Sequence, residues 1–149
     1  MKFGITLFLM MCTALIAGCG NDVDYSTLNK ENVMAALENA DRASDIKSLT
    51  VEDDIVEIEI IDENANDASI ESDEFHYLEQ LKDFKDIAYV EMTYYVKDKD
   101  KYGNEDDDRK VAESEIEGTE MQRIDYDELS PYSLHQVMTF TYMDPMMKK

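Results

Sequence analysis

Polar and apolar residues alternate most regularly on either side of two aspartates, Asp53 and Asp54. The apolar residues before this pair mirror those after it, so a two-residue turn would place both sets on one face of a β-hairpin. The predicted cross-strand pairs are Val51 with Val56, Leu49 with Ile58, Thr50 with Glu57, and Ser48 with Glu59. One face of the hairpin is therefore expected in the core and the other in water. Because Asp-Asp lacks the glycine that such turns favour, a looser loop is the alternative.

Two further stretches carry apolar residues at helical spacing. The first follows Asn29, which is suited to cap a helix, and is expected to run to about Asp41. Its apolar residues are Val33, Met34, Leu37, Ala40 and Ala43. The second is expected to follow a cap at Ser72 and to end near Lys85, after a loop over residues 63–72. Its apolar stripe comprises Phe75, Tyr77, Leu78, Leu81 and Phe84, which is broad enough to pack on a sheet.

A period of two returns over residues 88–96 and predicts a half-buried strand. Its second face carries Tyr89 and Tyr95, which we expect another element of the fold to cover. A charged loop over residues 98–108 is predicted next, with Gly103 supplying the positive-φ position of its turn. Residues 110–117 are expected to return as the partner strand and to end at Gly118.

The C-terminal part has weaker patterns. Thr119 and Gln122 predict a capping box for a short helical turn. Residues 133–138 are compatible with a helix or a strand, and residues 139–143 predict a short strand that ends before Pro145.

These elements indicate an α+β fold, a two-layer sandwich in which an antiparallel sheet of about four to five strands packs against two helices. Residues 30–149 are expected to form a single domain. A shift of 41 residues superimposes the apolar residues of the first helix and strand on those of the second, so two similar helix-hairpin units are an alternative description. The order helix, hairpin, helix, strand is also similar to that of the BON domain of bacterial envelope proteins.

The first nineteen residues have the anatomy of a signal peptide. A cationic Met1-Lys2 precedes an uncharged apolar run over residues 3–16, and Ala17, Gly18 and Cys19 follow it. This stretch resembles the lipobox of bacterial lipoproteins. The resemblance implies cleavage between Gly18 and Cys19, a covalent lipid on the Cys19 thiol, and attachment to the extracytoplasmic face of the cell membrane. The apolar run is shorter than the roughly 20 residues that a spanning helix needs.

Residues 19–29 are then a lipidated cysteine and a short polar tether. Ten such residues reach at most ~35 Å when fully extended, so the domain is expected close to the membrane. Cys12 would leave with residues 1–18, and no thiol would remain for a disulfide, a nucleophile or a metal site. Residues 101–105 also look like the hairpin of small uncharacterised lipoproteins from Gram-positive bacteria, a resemblance that implies no activity.

The formal net charge of −21 changes the set of admissible partners. The chain has no basic stripe that would neutralise phosphates, so a nucleic-acid partner is not expected. Adhesion to anionic lipid headgroups is unfavourable for the same reason, and membrane residence would depend on the lipid. An envelope protein is the expected partner, and no cofactor is expected apart from the lipid on Cys19.

The loop over residues 98–108 partly matches a calcium-binding loop. The candidate cation ligands are Asp98, Asp100, Asp106, Asp107 and Asp108. Tyr102 and Arg109 occupy the fifth and twelfth positions, where a calcium loop needs oxygen ligands, so weak cation binding is expected at most.

Other metal chemistry has less support. His76 and His135 are the only histidines, and nothing in the sequence brings them together for zinc. The C-terminal methionines Met138, Met143, Met146 and Met147 are expected to fill space rather than to bind copper.

The sequence therefore predicts a non-enzymatic, lipid-anchored binding or accessory domain. The expected interaction surface is the acidic hairpin tip or the aromatic sheet face, with Tyr89, Tyr95 and Tyr102 as its aromatic residues. One alternative is a protein that binds divalent cations weakly through the acidic loop. A second is a small hydrolase with a carboxylate pair that the sequence does not identify.

Overall fold

The computed structural model describes residues 23–40, 43–99 and 102–147. It has an α+β fold, as predicted, with five strands in one sheet. The strands are β1 (Ile46–Glu52), β2 (Ile55–Ile61), β3 (Tyr89–Lys99), β4 (Glu105–Glu117) and β5 (Thr139–Met143). The α-helices are α1 (Lys30–Leu37), α2 (Asp67–Leu81) and the single turn α3 (Gly118–Met121). Two 3₁₀ helices, Ala43–Asp45 and Pro131–Gln136, complete the described elements.

The first hairpin has the predicted register. All four predicted pairs, from Ser48 with Glu59 to Val51 with Val56, are present between β1 and β2. Asp53 and Asp54 both take positive φ values, 49° and 65°, which is the conformation of the tight turns that match the twist of a hairpin. Aspartate tolerates this region better than most residues, so the turn forms without glycine.

Both large helices begin at asparagine caps. The side chain of Asn29 accepts a hydrogen bond from the Asn32 amide, which confirms the predicted start of α1. For α2, the start predicted at Ser72 is wrong, because Asn66 caps the helix and forms a capping box with Ser69. This reciprocal pair satisfies backbone groups that would otherwise lack partners at the end of the helix. The helix therefore begins six residues earlier than predicted, which adds about one and a half turns.

The strands follow the order β1-β2-β3-β4-β5. All neighbours are antiparallel except β2 and β3, which are parallel, so the prediction of a wholly antiparallel sheet is wrong at this pair. The chain leaves β2 and returns to β3 through α2, and such a crossover is the connection that parallel neighbours require. Helix followed by hairpin occurs twice, as α1-β1-β2 and as α2-β3-β4.

The second hairpin is longer than predicted. β3 extends to Lys99 and β4 begins at Glu105, so most of the predicted charged loop is strand. Gly103 has a φ of +84°, which confirms its predicted role in the turn. The predicted capping box at the next element is wrong, because the cap of α3 is Glu117 and makes no side-chain hydrogen bond. The short C-terminal strand is confirmed as β5.

The core lies between the helices and one face of the sheet. From the helices it receives Val33, Leu37, Ile70, Phe75, Leu78 and Leu81, all buried. From the strands it receives Leu49, Val56, Ile58, Ile60, Val90, Met92, Tyr94, Ala112 and Ile116, also buried. These strand residues alternate with the polar positions of the same strands, so one face of the sheet is packed and the other faces water.

The polar segment before α1 is not separate from this core. Val23, Tyr25 and Leu28 are partly buried against it, and the rings of Tyr25 and Phe84 lie 4.9 Å apart between their centroids. The predicted tether is therefore part of the packed domain from Val23 onwards. In the part of the chain that the structure describes, no helix combines the length and the apolar character needed to cross a membrane.

Candidate functional site

The face of the sheet opposite α1 and α2 is formed by the strand positions that alternate with the core positions. We call it the open face and define it by two rows of paired residues that run across the five strands. The first row is Thr50, Glu57, Glu91, Glu115 and Thr139, and the second is Ser48, Glu59, Thr93, Glu113 and Tyr142. Every residue of these rows is exposed or half-buried, so no described element packs over them.

Three glutamates stand side by side in the first row. Glu57 pairs with Glu91 across β2 and β3, and Glu91 pairs with Glu115 across β3 and β4. None of the three forms an ion pair with a lysine or arginine among the described residues. Like charges directly opposite one another destabilise a sheet. This row therefore concentrates negative charge at a cost in folding free energy.

Tyr95 is the centre of a mixed cluster at one end of the open face. The ammonium of Lys47 lies 4.4 Å from the centroid of the Tyr95 ring, and the Tyr95 hydroxyl donates to Glu59 at 3.2 Å. Lys47 also pairs with Asp108 on β4 at 3.0 Å, and this hydrogen bond raises the pKa of the lysine. A similar group lies nearer β5, where Lys110 contacts both Glu113 and the ring of Tyr142. In the Tyr95 cluster an aromatic ring lies beneath a cation, and such a contact is stronger where water is partly excluded.

The three predicted interaction tyrosines do not form one patch. Tyr89 is 40% exposed, and its hydroxyl donates to Glu117 at 3.4 Å. Tyr102 lies at the tip of the second hairpin and is 76% exposed. The expectation that another element covers Tyr89 and Tyr95 is not met among the described residues, because Tyr89 is exposed and Tyr95 is half-buried beside Lys47 and Glu59 of neighbouring strands.

The predicted cation ligands are also dispersed. Asp98 accepts a hydrogen bond from Arg109 at 2.8 Å, whereas Asp108 pairs with Lys47. Asp100 lies outside the described residues, as do the side chains of Asp106 and Asp107. The two described acids therefore have basic partners already, which a divalent cation would have to displace.

The histidines lie in separate places. His76 Nδ1 is 2.6 Å from the Ser72 carbonyl oxygen, and His135 Nδ1 is 3.4 Å from a carboxylate oxygen of Glu71. Within residues 23–40, 43–99 and 102–147, no three histidine, cysteine, aspartate or glutamate side chains are grouped so that they could hold a metal ion.

One acidic residue that the sequence did not single out is fully buried. Glu74 of α2 points at the packed face of the sheet, where Ser114 of β4 donates a hydrogen bond to its Oε1. Among the residues that the structure describes, its Oε2 has no hydrogen-bond partner, and neither does the buried hydroxyl of Tyr94 on β3. Burial raises the pKa of Glu74 to about 8; the Ser114 hydrogen bond opposes this shift, and the charges of Glu71 and Asp73 add to it. A signal was present in the sequence, because Glu74 lies four residues from both Ile70 and Leu78 on the apolar stripe of the helix.

Comparisons with known proteins gave no relative. No protein-family model, curated protein or solved structure matches the chain. Gly18 and Cys19, the predicted cleavage and lipidation residues, lie outside the described residues. The function is therefore argued from the residues and geometry described above.

Proposed function

We propose that this chain is a lipid-anchored domain on the extracytoplasmic face of the cell membrane, and that its open face binds a positively charged segment of another envelope protein. The observation that carries the proposal is the row of Glu57, Glu91 and Glu115. These acids are adjacent, lack basic partners among the described residues, and lie on a face that no described element covers. A lysine-rich or arginine-rich segment is the complement of such a surface.

The geometry of a β-sheet supports a polypeptide partner. Facing positions on neighbouring strands repeat at about 4.8 Å, so the three glutamates form a row about 10 Å long. Basic side chains spaced along an extended or helical segment would reach such a row. Tyr95 lies on the same face, two residues beyond Thr93 of the second row, and tyrosine is a residue type that is enriched in protein interfaces.

The two alternatives have less support. Cation binding through the acidic hairpin would compete with Arg109 for Asp98 and with Lys47 for Asp108. A hydrolase would need a reactive carboxyl group that a substrate reaches, whereas Glu74 has no exposed surface. Neither alternative is favoured by a separate observation on the described residues.

A photo-crosslinking experiment in intact cells tests the binding surface. A photoreactive amino acid placed at Thr93, in the middle of the open face, should capture one abundant envelope protein. The same amino acid at Asp83, an exposed residue beyond α2, is the control position. If Thr93 captures nothing above the Asp83 background, binding through the open face is wrong.

The charge requirement needs a matched pair of triple variants. Replacing Glu57, Glu91 and Glu115 by glutamine should abolish the crosslink from Thr93. The control variant Glu31→Gln, Asp83→Asn, Asp86→Asn removes the same charge from exposed positions elsewhere and should leave the crosslink intact. Equal losses in both variants would mean that net charge, rather than the glutamate row, attracts the partner.

The anchor is tested separately. Cys19→Ala should move the protein from the membrane fraction to the soluble fraction and should abolish incorporation of a labelled fatty acid. A membrane fraction unchanged by this substitution would contradict the lipid anchor without bearing on the open face.

A further inference from the structure

The buried carboxyl group of Glu74 has an unusual environment. The residue has 0% exposed surface, and among the described residues it receives one hydrogen bond, from Ser114. Its other oxygen is buried and has no hydrogen-bond partner in this part of the chain. No lysine, arginine or histidine that the structure describes forms an ion pair with it. An ionised carboxylate with one hydrogen bond and no cation is very costly to bury, whereas a neutral carboxylic acid costs much less.

The groups that face Glu74 strengthen this preference. On its own helix the neighbouring charges are those of Glu71 and Asp73, both acidic. From the sheet, β3 contributes the hydroxyl of Tyr94 and β4 contributes the hydroxyl of Ser114, neither of which is a cation. The acidic groups around Tyr94 itself include Asp62, which follows β2. The charges of Glu71 and Asp73 therefore both oppose a negative charge on Glu74.

We propose that Glu74 keeps its proton while α2 is packed against the sheet, and that this makes the attachment of α2 sensitive to pH across the neutral range. Glu74 joins the middle of α2 to β4 through the hydrogen bond from Ser114. This bond lies on the packed face of the sheet, and the open face is on the other side of the same strands. Glu74 and Ser114 both lie on the packed side of the sheet, so their contact is separate from any partner of the open face.

The direction of the effect follows from proton linkage. An exposed glutamate ionises near pH 4.5, so between this value and about 8 any opening that exposes Glu74 releases a proton. Each pH unit in this window should favour opening about tenfold. The contribution of protonated Glu74 to the attachment of α2 is therefore complete below about pH 4.5. It declines between this pH and about pH 8 and changes no further above pH 8.

Amide hydrogen exchange of α2 in the full-length chain tests the proposal. After correction for the intrinsic rate, protection of α2 in the wild type should fall about 100-fold more between pH 5.5 and 7.5 than in Glu74→Gln. Glutamine preserves the shape and accepts the Ser114 hydrogen bond but does not ionise. Glu79→Gln, at a half-buried acid on the same helix, is the control and should retain the wild-type dependence. Equal slopes in the wild type and in Glu74→Gln would overturn the proposal.

An infrared measurement on the wild type keeps the proposal testable if Glu74→Gln does not fold. At pH 6.5 in heavy water, the folded protein should show the carbonyl stretching band of a protonated carboxyl group, and the band should disappear as the pH is raised past about 8. Exposed carboxyl groups are ionised at pH 6.5 and do not contribute. A wild-type spectrum without this band at pH 6.5 would refute a protonated Glu74.

Discussion

Two serine–glutamate hydrogen bonds lie on opposite faces of the same sheet. Ser114 donates to Glu74 within the core, and Ser48 donates to Glu59 at 2.7 Å on the open face. Glu59 has a second donor, the hydroxyl of Tyr95, and reaches solvent, whereas the second oxygen of Glu74 has neither. The same pair of residue types therefore lies in a buried, poorly hydrogen-bonded site in one place and in a solvent-accessible site with two donors in the other. The environment rather than the residue type decides the chemistry of an acid in this protein.

The largest difference in stability between variants of the two faces should be found at two neighbouring residues of β3. Met92 is fully buried in the core, and Thr93 lies on the open face. Met92→Ala should destabilise the protein by about 2–5 kcal/mol, because it leaves a cavity. Thr93→Ala should change stability by no more than about 0.5 kcal/mol. Urea denaturation of both variants measures the difference, and a Thr93→Ala cost as large as that of Met92→Ala would mean that the open face is packed.

Substitution of the two serines should also have different costs on the two faces of the sheet. Ser114→Ala removes the Ser114 hydrogen bond to Glu74 and should cost about 1 kcal/mol at pH 5.5, where Glu74 is neutral, and about 2 kcal/mol at pH 9, where it is charged. The pKa of Glu74 should rise further, since the lost hydrogen bond lowers it in the wild type. Ser48→Ala should cost less than about 0.5 kcal/mol at both pH values, because water replaces the serine. Denaturant unfolding at the two pH values gives the costs, and equal pH dependence in both variants would contradict the comparison.

A smaller and opposite effect is expected from the glutamate row. Glu91→Gln removes the central charge between Glu57 and Glu115 and should stabilise the fold by about 0.2–1 kcal/mol. The gain should shrink in 1 M salt, where the Debye length is only about 3 Å. Thermal unfolding at low and high salt tests both parts. A loss of stability at low salt would show that the row is not repulsive.

The smallest change concerns the turn of the first hairpin. Asp54 has a φ of 65°, a region that glycine enters without a steric penalty. Asp54→Gly should therefore raise stability by a few tenths of a kcal/mol, because relief of the backbone strain is partly offset by the greater freedom of glycine in the unfolded chain. The thermal midpoint of this variant should not fall below that of the wild type. Asp45→Gly, which changes the same residue type at a 3₁₀ helix, is the control and should not stabilise.

The fold was predictable where the pattern is local. The register of the first hairpin follows from alternation around Asp53-Asp54, and both asparagine-capped helices have apolar stripes in the sequence. The parallel pairing of β2 and β3 was not predictable, because alternation assigns faces to a strand but does not identify its neighbours. The start of α2 was missed because its first turn carries polar residues, and only the Asn66–Ser69 capping box indicates it.

The candidate site was less accessible to sequence reasoning. Each glutamate of the row was recognised as polar, but their adjacency depends on the register of three strands, two of which are far apart in the chain. A helix that begins after Ser72 places Asp73 and Glu74 in its first turn, where acids commonly favour the positive end of a helix. Once the helix begins at Asp67, Glu74 lies in its middle and on its buried side.

The packing of Tyr25 against Phe84 has a consequence for how the protein would meet other molecules. With a lipid on Cys19, only the four-residue step to Val23 would separate the membrane surface from the packed domain, a span of at most about 14 Å. Such a short connection would confine the domain to a thin layer above the bilayer. A partner embedded in the same membrane would then share this layer, and its effective concentration would exceed that of the same partner free in solution.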